Sequence, residues 1–476
     1  MLSLSKRIWA PILAVVVCLA PAQAQQQQTP PPTSNPTQPV APVQPITNPG
    51  NSQPSSNDGP ASPIQTPPTV VTGGFAPRVG DVSDERSQIN IGFQVGESID
   101  SNFAGTSISG GWNEVTNFGG HFDLHLLGRS SDLMFHYAGG GMLDAQDSSL
   151  DTMYHQFEVS ESLQFRRWSL HLDDSFSYLP NSSFGFSMFG LTQSGLGNLT
   201  FLNPDASPSQ SILTSQATRL SNTFLAQAQV QASQRTTFTF TGGYGLLDYL
   251  TPGFLNPTNE NFSFGYNYTL GPRDTLGVSY SFNHFSFNGT SSTVNDSSFQ
   301  VTYGHHITNR LAFQVGAGPG LDYFTPVGGM ASTENTVFSV TAGLNYQLER
   351  TGLGVSFSRG VTAGAGILIG SIANSAQISA NHQWGRNFSA NGSFGFASNQ
   401  SLPQLASLIN STYDSLYAGG GVTYKIGRTM NFFANYNYIH QITNGTVCTG
   451  SACAPNFGSH QIWIGFNFEF RPIPLY

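Results

Sequence analysis

Between Gln461 and Phe470 the chain alternates strictly. Ile462, Ile464, Phe466, Phe468 and Phe470 fall on one phase, and Gln461, Trp463, Gly465, Asn467 and Glu469 fall on the other. A period of two sends successive side chains to opposite faces of a β-strand, so one face here is wholly apolar and the other mostly polar. The pattern recurs in Phe262, Phe264, Tyr266, Tyr268 and Leu270, in Phe338, Val340, Ala342, Leu344, Tyr346 and Leu348, and in Leu416, Ala418, Gly420, Val422, Tyr424 and Ile426. No apolar run after the first two dozen residues approaches the ~20 residues of a spanning helix. Strands of about ten to twelve residues, tilted by roughly 45°, match the hydrocarbon thickness of an outer membrane instead.

Composition decides what surrounds these strands. Charged residues are 9% of the chain and aromatic residues 12%, whereas a soluble domain carries about 25% charge. Low charge with abundant Asn, Gln, Ser and Thr suits a sheet with one face in lipid and the other toward a polar lumen. The formal charge of −9 and the absence of a Lys/Arg cluster exclude nucleic acid as a partner.

Arginine marks the turns. Gly128-Arg129, Arg166-Arg167, Gln234-Arg235, Pro272-Arg273, Asn309-Arg310, Glu349-Arg350, Gly385-Arg386 and Gly427-Arg428 recur mostly 36 to 42 residues apart. That interval is one strand up, a longer loop, one strand down and a tight turn. Bacterial barrels keep their short turns on the periplasmic side. Eight such turns, with both termini on the same side, imply an all-β, closed antiparallel up-and-down barrel of about 18 strands. The count becomes 16 if the weak segment Ser87 to Glu97 and one other fail. The interval is longer only between Arg167 and Arg235, where a segment from Leu179 to Ala217 is inserted as the third external loop.

The N-terminus reads as an export leader over residues 1–24: Lys6 and Arg7, an apolar run from Ile8 to Leu19, then Ala22-Gln23-Ala24. Residues 25–80, rich in Gln, Pro, Thr, Ser and Asn, cannot bury a core and read as a disordered periplasmic linker, which leaves 81–476 as the barrel. The linker serves as a plain spacer or as a contact to peptidoglycan or a periplasmic partner. After cleavage, Cys448 and Cys453 remain in an oxidising compartment and are expected to form a local loop disulfide.

The leader, the alternating strands and the aromatic closing strand Gln461 to Phe470 together resemble the porin-like outer-membrane β-barrels of Gram-negative bacteria. The resemblance covers most of residues 87 to 470 and is architectural. It implies outer-membrane lipid and lipopolysaccharide as surroundings, recognition of the last strand by the insertion machinery, a third loop folded into the lumen, and an oligomer. The terminal aromatic of that class is matched by Tyr476, but Pro472 and Pro474 precede it. Proline cannot donate to a strand ladder, so the recognised strand is expected to end at Phe470.

Strand parity places Asp123 and His125, then Glu158, then His171 and Asp173 on the polar phase of three early strands, a lumen patch of titratable groups. Such a patch is either a hydrogen-bond network or the His and acid part of a hydrolase site. Glu161 and Asp174 fall on the lipid phase, which calls for a bulge or an interfacial position. Tyr178, Tyr249, Tyr280, Tyr303, Tyr436 and Tyr438 suit interfacial girdles or plain β-propensity. His305-His306 reads as a solvated turn pair, and the triple glycines at 139–141 and 419–421 as sites of bulges or close packing. No residue pattern calls for a metal, a cofactor or an enzymatic activity. The function expected is passive diffusion of small polar or neutral solutes through a lumen lined by Asn, Gln, Ser and Thr. The rival is a structural or assembly barrel without an open pore, such as a partner in surface polysaccharide export, whose linker engages other proteins.

Overall fold

The structure is a computed structural model and describes residues 87–102, 112–148, 151–179, 218–288, 292–326, 332–364, 368–402, 411–445 and 456–475. The leader, the linker, the inserted third loop beyond residue 179 and Cys448 with Cys453 lie outside the described residues.

The strands are β1 (Gln88–Asp100), β2 (Asn113–Leu127), β3 (Ser131–Asp144), β4 (Thr152–Gln164), β5 (Trp168–Leu179), β6 (Arg219–Gln231), β7 (Thr236–Tyr249), β8 (Asn256–Thr269) and β9 (Asp274–Asn288). They continue as β10 (Thr293–Thr308), β11 (Leu311–Thr325), β12 (Thr333–Gln347), β13 (Thr351–Thr362), β14 (Ser371–Trp384), β15 (Phe388–Ser401), β16 (Ser411–Ile426), β17 (Met430–Gly445) and β18 (Asn456–Glu469). Each pairs antiparallel with the next, and β18 returns to β1 in a register running from Gly92 opposite Glu469 to Asp100 opposite Gln461. The sheet is therefore closed. Closure gives every strand two neighbours, which backbone in hydrocarbon requires. The segment Ser87 to Glu97, doubtful by pattern, is the start of β1, so the count is eighteen and not sixteen.

All eight Arg-bearing turns join hairpins at one end of the barrel, β2 to β3, β4 to β5 and so on to β16 to β17, and their arginines are exposed. Gly385 and Gly427 allow two of these turns to be tight, because their φ values of 69° and 77° lie in the left-handed region. The ends of β1 and β18 lie at the same rim, where Phe470 N donates to Ile91 O at 2.9 Å.

The C-terminus differs from expectation. After Glu469 the chain re-enters the sheet as β19 (Ile473–Pro474), pairing with Ile89 and Gln88, and Leu475 N donates to Ser87 O at 2.8 Å. A proline keeps its carbonyl acceptor, so Pro474 ends a ladder without needing to donate to it.

The apolar phase points outward. Phe93 is 44% exposed, Phe262 49% and Phe338 56%, and comparable exposure recurs at Phe118, Phe299, Phe394 and Ile464 around the circumference. Soluble monomers rarely show contiguous apolar patches beyond a few hundred Å². An apolar exterior on a closed sheet is the exterior of a transmembrane barrel of the outer-membrane type. The closing seam belongs to this belt, with Phe93 stacked on Phe468 at 4.6 Å between ring centroids.

Strands of 12 to 16 residues exceed the roughly 9–11 that cross the hydrocarbon. At the end opposite the turns the outward phase becomes polar, as with Glu97 beside Thr116 (2.9 Å) and His284 beside Asn295 (2.5 Å). Glu161 and Asp174 do face outward, and no bulge moves them: the β4–β5 register is regular through both. Glu161 lies close to the turn at Arg166, and Asp174 is held by Asn222 Nδ2 at 2.8 Å.

Candidate functional site: the barrel lumen

The inward phase carries most of the uncharged polar side chains. Ser263, Ser281, Ser298, Asn283, Gln300 and Thr302 are all buried on it. Its charge is mostly of one sign. Register places Asp100, Asp123, Asp132, Asp144, Glu158, Asp173, Asp296 and Asp322 inward, against Arg219 and Lys425.

The predicted patch is assembled on β2 to β5. Asp123 lies opposite His136, and His136 opposite Glu158, so three titratable groups form one row across the wall. His136 Nδ1 is hydrogen-bonded to Asp123 Oδ1. One row nearer the turns, His125 Nε2 meets Asp132 Oδ1 at 2.6 Å. Asp173, opposite Ser160, stands diagonally from Glu158, and His171 lies opposite Ser162. His125 and His136 thus each spend a ring nitrogen on a carboxylate. Parity alone pointed to five of these groups. His136 and Asp132, which organise the pairs, were missed because their partners lie on another strand.

Other expectations shift. Tyr249 faces inward, buried against Phe254 at 4.6 Å between ring centroids, in phase with the buried Thr239, Thr241 and Leu247 of its strand and opposite Arg219 of β6. Tyr178, Tyr280, Tyr303, Tyr436 and Tyr438 face outward, where Tyr436 Oη meets His460 Nδ1 at 2.9 Å. His305 is not merely a solvated turn residue, since the β9–β10 pairing brings Asp274 Oδ1 to 2.7 Å from its Nδ1. The triple glycines continue their ladders without a register shift. Gly140 faces inward under the Tyr154 hydroxyl, which would sit 2.8 Å from any Cβ there. On the closing strand, Ile462, Ile464, Phe466 and Phe470 are exposed on the outward face, Phe468 is half-buried beside Phe93, and Trp463 is fully buried inward against Phe433.

Two features of the lumen were not expected. Large aromatics, including Tyr154, Trp463, Phe433, Tyr417 and Phe285, are buried on the inward face. The mouth opposite the turns also holds an apolar cluster of Phe285, Phe287, Val294, Phe324, Val337, Val361, Ala363, Ile372 and Leu402, with Leu255 and Ile369 against it. The cluster forms because β13 parts from β12: their pairing stops at Val340 opposite Arg359, while β13 stays paired with β14 through Thr362 opposite Ser371. The tip of the β13–β14 hairpin thereby reaches the inner wall, where Gly370 lies against both Val294 of β10 and Leu402 beyond β15. Gly364 and Gly370, with φ of 77° and 76°, bound the tip. The signal available in the sequence was Ile367-Leu368-Ile369 set between glycines, an apolar run in a loop.

No protein-family model matches the chain, and no curated protein matches it. Among solved structures it is similar to OccK2 (OpdF) of Pseudomonas aeruginosa, with 10% identity, a TM-score of 0.40, and coverage of 82% of this chain and 99% of that one. It is also similar to the outer membrane protein OpdK of the same organism, with 9% identity, a TM-score of 0.38, and 81% and 98% coverage. The FrpB iron transporter of Neisseria meningitidis gives 10% identity, a TM-score of 0.39, and 80% and 82% coverage. Similarities of this size add nothing to what the strand pairing already establishes.

Proposed function

We propose that the barrel is a passive outer-membrane passage for small polar solutes, neutral or cationic, narrowed at its outer mouth by the β13–β14 tip. The observation that carries this reading is the pairing of an apolar exterior with an inward face of Ser, Thr, Asn and Gln. Eighteen strands enclose a lumen wide enough for water unless it is filled. Hydroxyl and amide walls exchange hydrogen bonds with a neutral solute as water does, so such a solute meets little desolvation barrier. Cations are admitted with neutral solutes because the inward carboxylates outnumber the inward Arg and Lys side chains among the described residues. The test is conductance of the refolded barrel in a planar bilayer, with swelling of sugar-loaded liposomes alongside. Stable steps that scale with salt, and entry of a small sugar, support the passage.

One observation favours the rival reading, a barrel without an open pore that serves assembly: the apolar cluster at the mouth. Silence from folded protein in both assays would move the assignment there. Removal of residues 25–80 then becomes the deciding variant, since an assembly role needs the arm and a pore does not.

A further inference from the structure

Among the described residues, Arg and Lys side chains lie at the turn rim or, like Arg219, face the lumen, with one exception. Arg359 of β13 points outward at the far end of its strand. Its place opposite Val340 puts it on the lipid phase, above Leu353, Val355 and Phe357, which lead up from the turn on the same face. The row it belongs to is the upper border of the apolar belt. Arg359 lies opposite Asn374 of β14, Asn374 opposite Ser398 of β15, and Ser398 opposite Asp414 of β16. One row nearer the turns the same strands offer Phe357, Ala376, Phe396 and Leu416. A charge is tolerated at such a border and is costly at the midplane.

No carboxylate stands beside this guanidinium. Arg359 is half-buried, and its Nη1 donates to the neutral Asn374 Oδ1 at 2.7 Å. The ion pairs among the described residues are His–Asp contacts that do not include it. The outward carboxylates of β12 to β16 are Asp414 and Glu334. Asp414 is three strands along the row, ~14 Å away at sheet spacing, and accepts from Ser398 Oγ at 2.6 Å. Glu334 stands at the top of β12, roughly 20 Å along the strand from Val340. A second irregularity meets Arg359, because the β12–β13 pairing ends there as the hairpin tip turns inward. Above Val340, β12 has no strand on that side among the described residues, and Phe338 is 56% exposed. The outer surface therefore has a step, with a backbone edge along it and an uncompensated cation at its foot. Backbone polar groups at membrane depth need partners.

We propose that this step binds one phosphate-bearing lipid of the leaflet opposite the turn rim, with Arg359 and Asn374 on the phosphate and an acyl chain over Val340 and Phe357. With the turns periplasmic, that leaflet is the outer one. The planar fork of arginine matches phosphate bidentately, and its weak hydration suits a half-buried place at the edge of the hydrocarbon. A headgroup that also carries hydroxyl and amide groups supplies donors and acceptors to the β12 edge. Phosphate, hydroxyl and amide together describe a phosphorylated saccharolipid of the lipid A class better than a plain phospholipid. Bound there, it seals the wall on the outside of the in-folded tip.

The test is native mass spectrometry of the full-length refolded barrel in detergent micelles, titrated separately with lipid A, phosphatidylglycerol and inorganic phosphate. The expected result is saturable binding of one lipid A per chain, with phosphatidylglycerol about tenfold weaker or more and no displacement of lipid A by equimolar phosphate. Arg359→Gln should weaken lipid A binding about tenfold or more, the worth of a charge-assisted hydrogen bond. Arg310→Gln, at the turn rim, should leave it unchanged. Folding of each variant is verified by circular dichroism, and Asn374→Ala, which keeps the charge, should bind more weakly than the native barrel but more tightly than Arg359→Gln. Absence of saturable binding to the native protein overturns the site, as does unchanged affinity in folded Arg359→Gln or in Asn374→Ala. Equal losses in Arg359→Gln and Arg310→Gln would reduce the effect to general surface charge and overturn it too. Equal affinity for phosphatidylglycerol, or displacement by inorganic phosphate, would show that phosphate alone is recognised and overturn the saccharolipid.

Discussion

Phe93 and Gln94 are adjacent in β1 but occupy different solvents. Phe93 lies in the middle of the outward apolar run from Ile91 to Val95, stacked on Phe468 across the seam, while Gln94 points inward and donates to Tyr154 Oη at 3.3 Å. An arginine at the bilayer midplane costs about 2–4 kcal/mol in a barrel of this kind. Phe93→Arg is therefore expected to destabilise by that amount, and Gln94→Lys by about 1 kcal/mol or less, the worth of one hydrogen bond. Denaturant unfolding of both variants in lipid vesicles measures the difference, and equal costs would contradict the assigned facing. This level of the structure was legible in the sequence because a period of two needs no knowledge of neighbouring strands. The pairs Asp123 with His136 and Asp274 with His305 were not legible, since which residues meet depends on register, which the alternation alone leaves free by steps of two. Tyr249 shares the phase of the buried Thr239, Thr241 and Leu247, so the same alternation assigns it to the lumen face and not to a girdle.

The strands themselves were read correctly from the Arg turns, which recur at a constant interval and so count hairpins even where one strand is weak. The β13–β14 tip escaped that reading. Its departure from the wall is a tertiary event, driven by burial of Val361, Ala363 and Ile372 against Phe285, Phe324, Val337 and Leu402, and nothing in the local period announces it. The inserted segment Leu179 to Ala217 was expected to narrow the lumen, and it lies beyond the described residues; among those described, the tip is the element that enters the mouth. Replacing residues 364–370 by Asn-Gly, the dipeptide that closes two-residue hairpins, removes the tip but leaves the paired parts of β13 and β14. Single-channel conductance should rise above that of the native barrel. An unchanged conductance would mean that the tip does not limit the passage.

At the scale of the whole molecule the barrel is polar along its axis and around its lumen. The turn rim carries exposed Arg129, Arg166, Arg167, Arg235, Arg273, Arg310, Arg350, Arg386 and Arg428, whereas the opposite mouth is apolar and acidic. If the turn rim is periplasmic, Gly271→Cys should resist a membrane-impermeant maleimide in intact cells and Pro252→Cys should react, each in a background with Cys448 and Cys453 replaced by serine. The reverse pattern would invert the topology. The lumen adds a second asymmetry. Asp100, Asp123, Asp132, Asp144, Glu158 and Asp173 line one side of it inward, and among the described residues the inward Arg and Lys are Arg219 and Lys425. Carboxylates along a confined path raise the local concentration of cations and lower that of anions. In a potassium chloride gradient across a bilayer, cations should leave the concentrated side faster than chloride, so the dilute side becomes positive. The potential should shrink as salt is raised, because screening shortens from about 10 Å at 0.1 M to about 3 Å at 1 M. Neutralising Glu158 and Asp173 as glutamine and asparagine should move the reversal potential toward zero without closing the channel. A potential of opposite sign would show that the ions follow a path these carboxylates do not line, and the residues that set selectivity would then have to lie in the loops at the mouth.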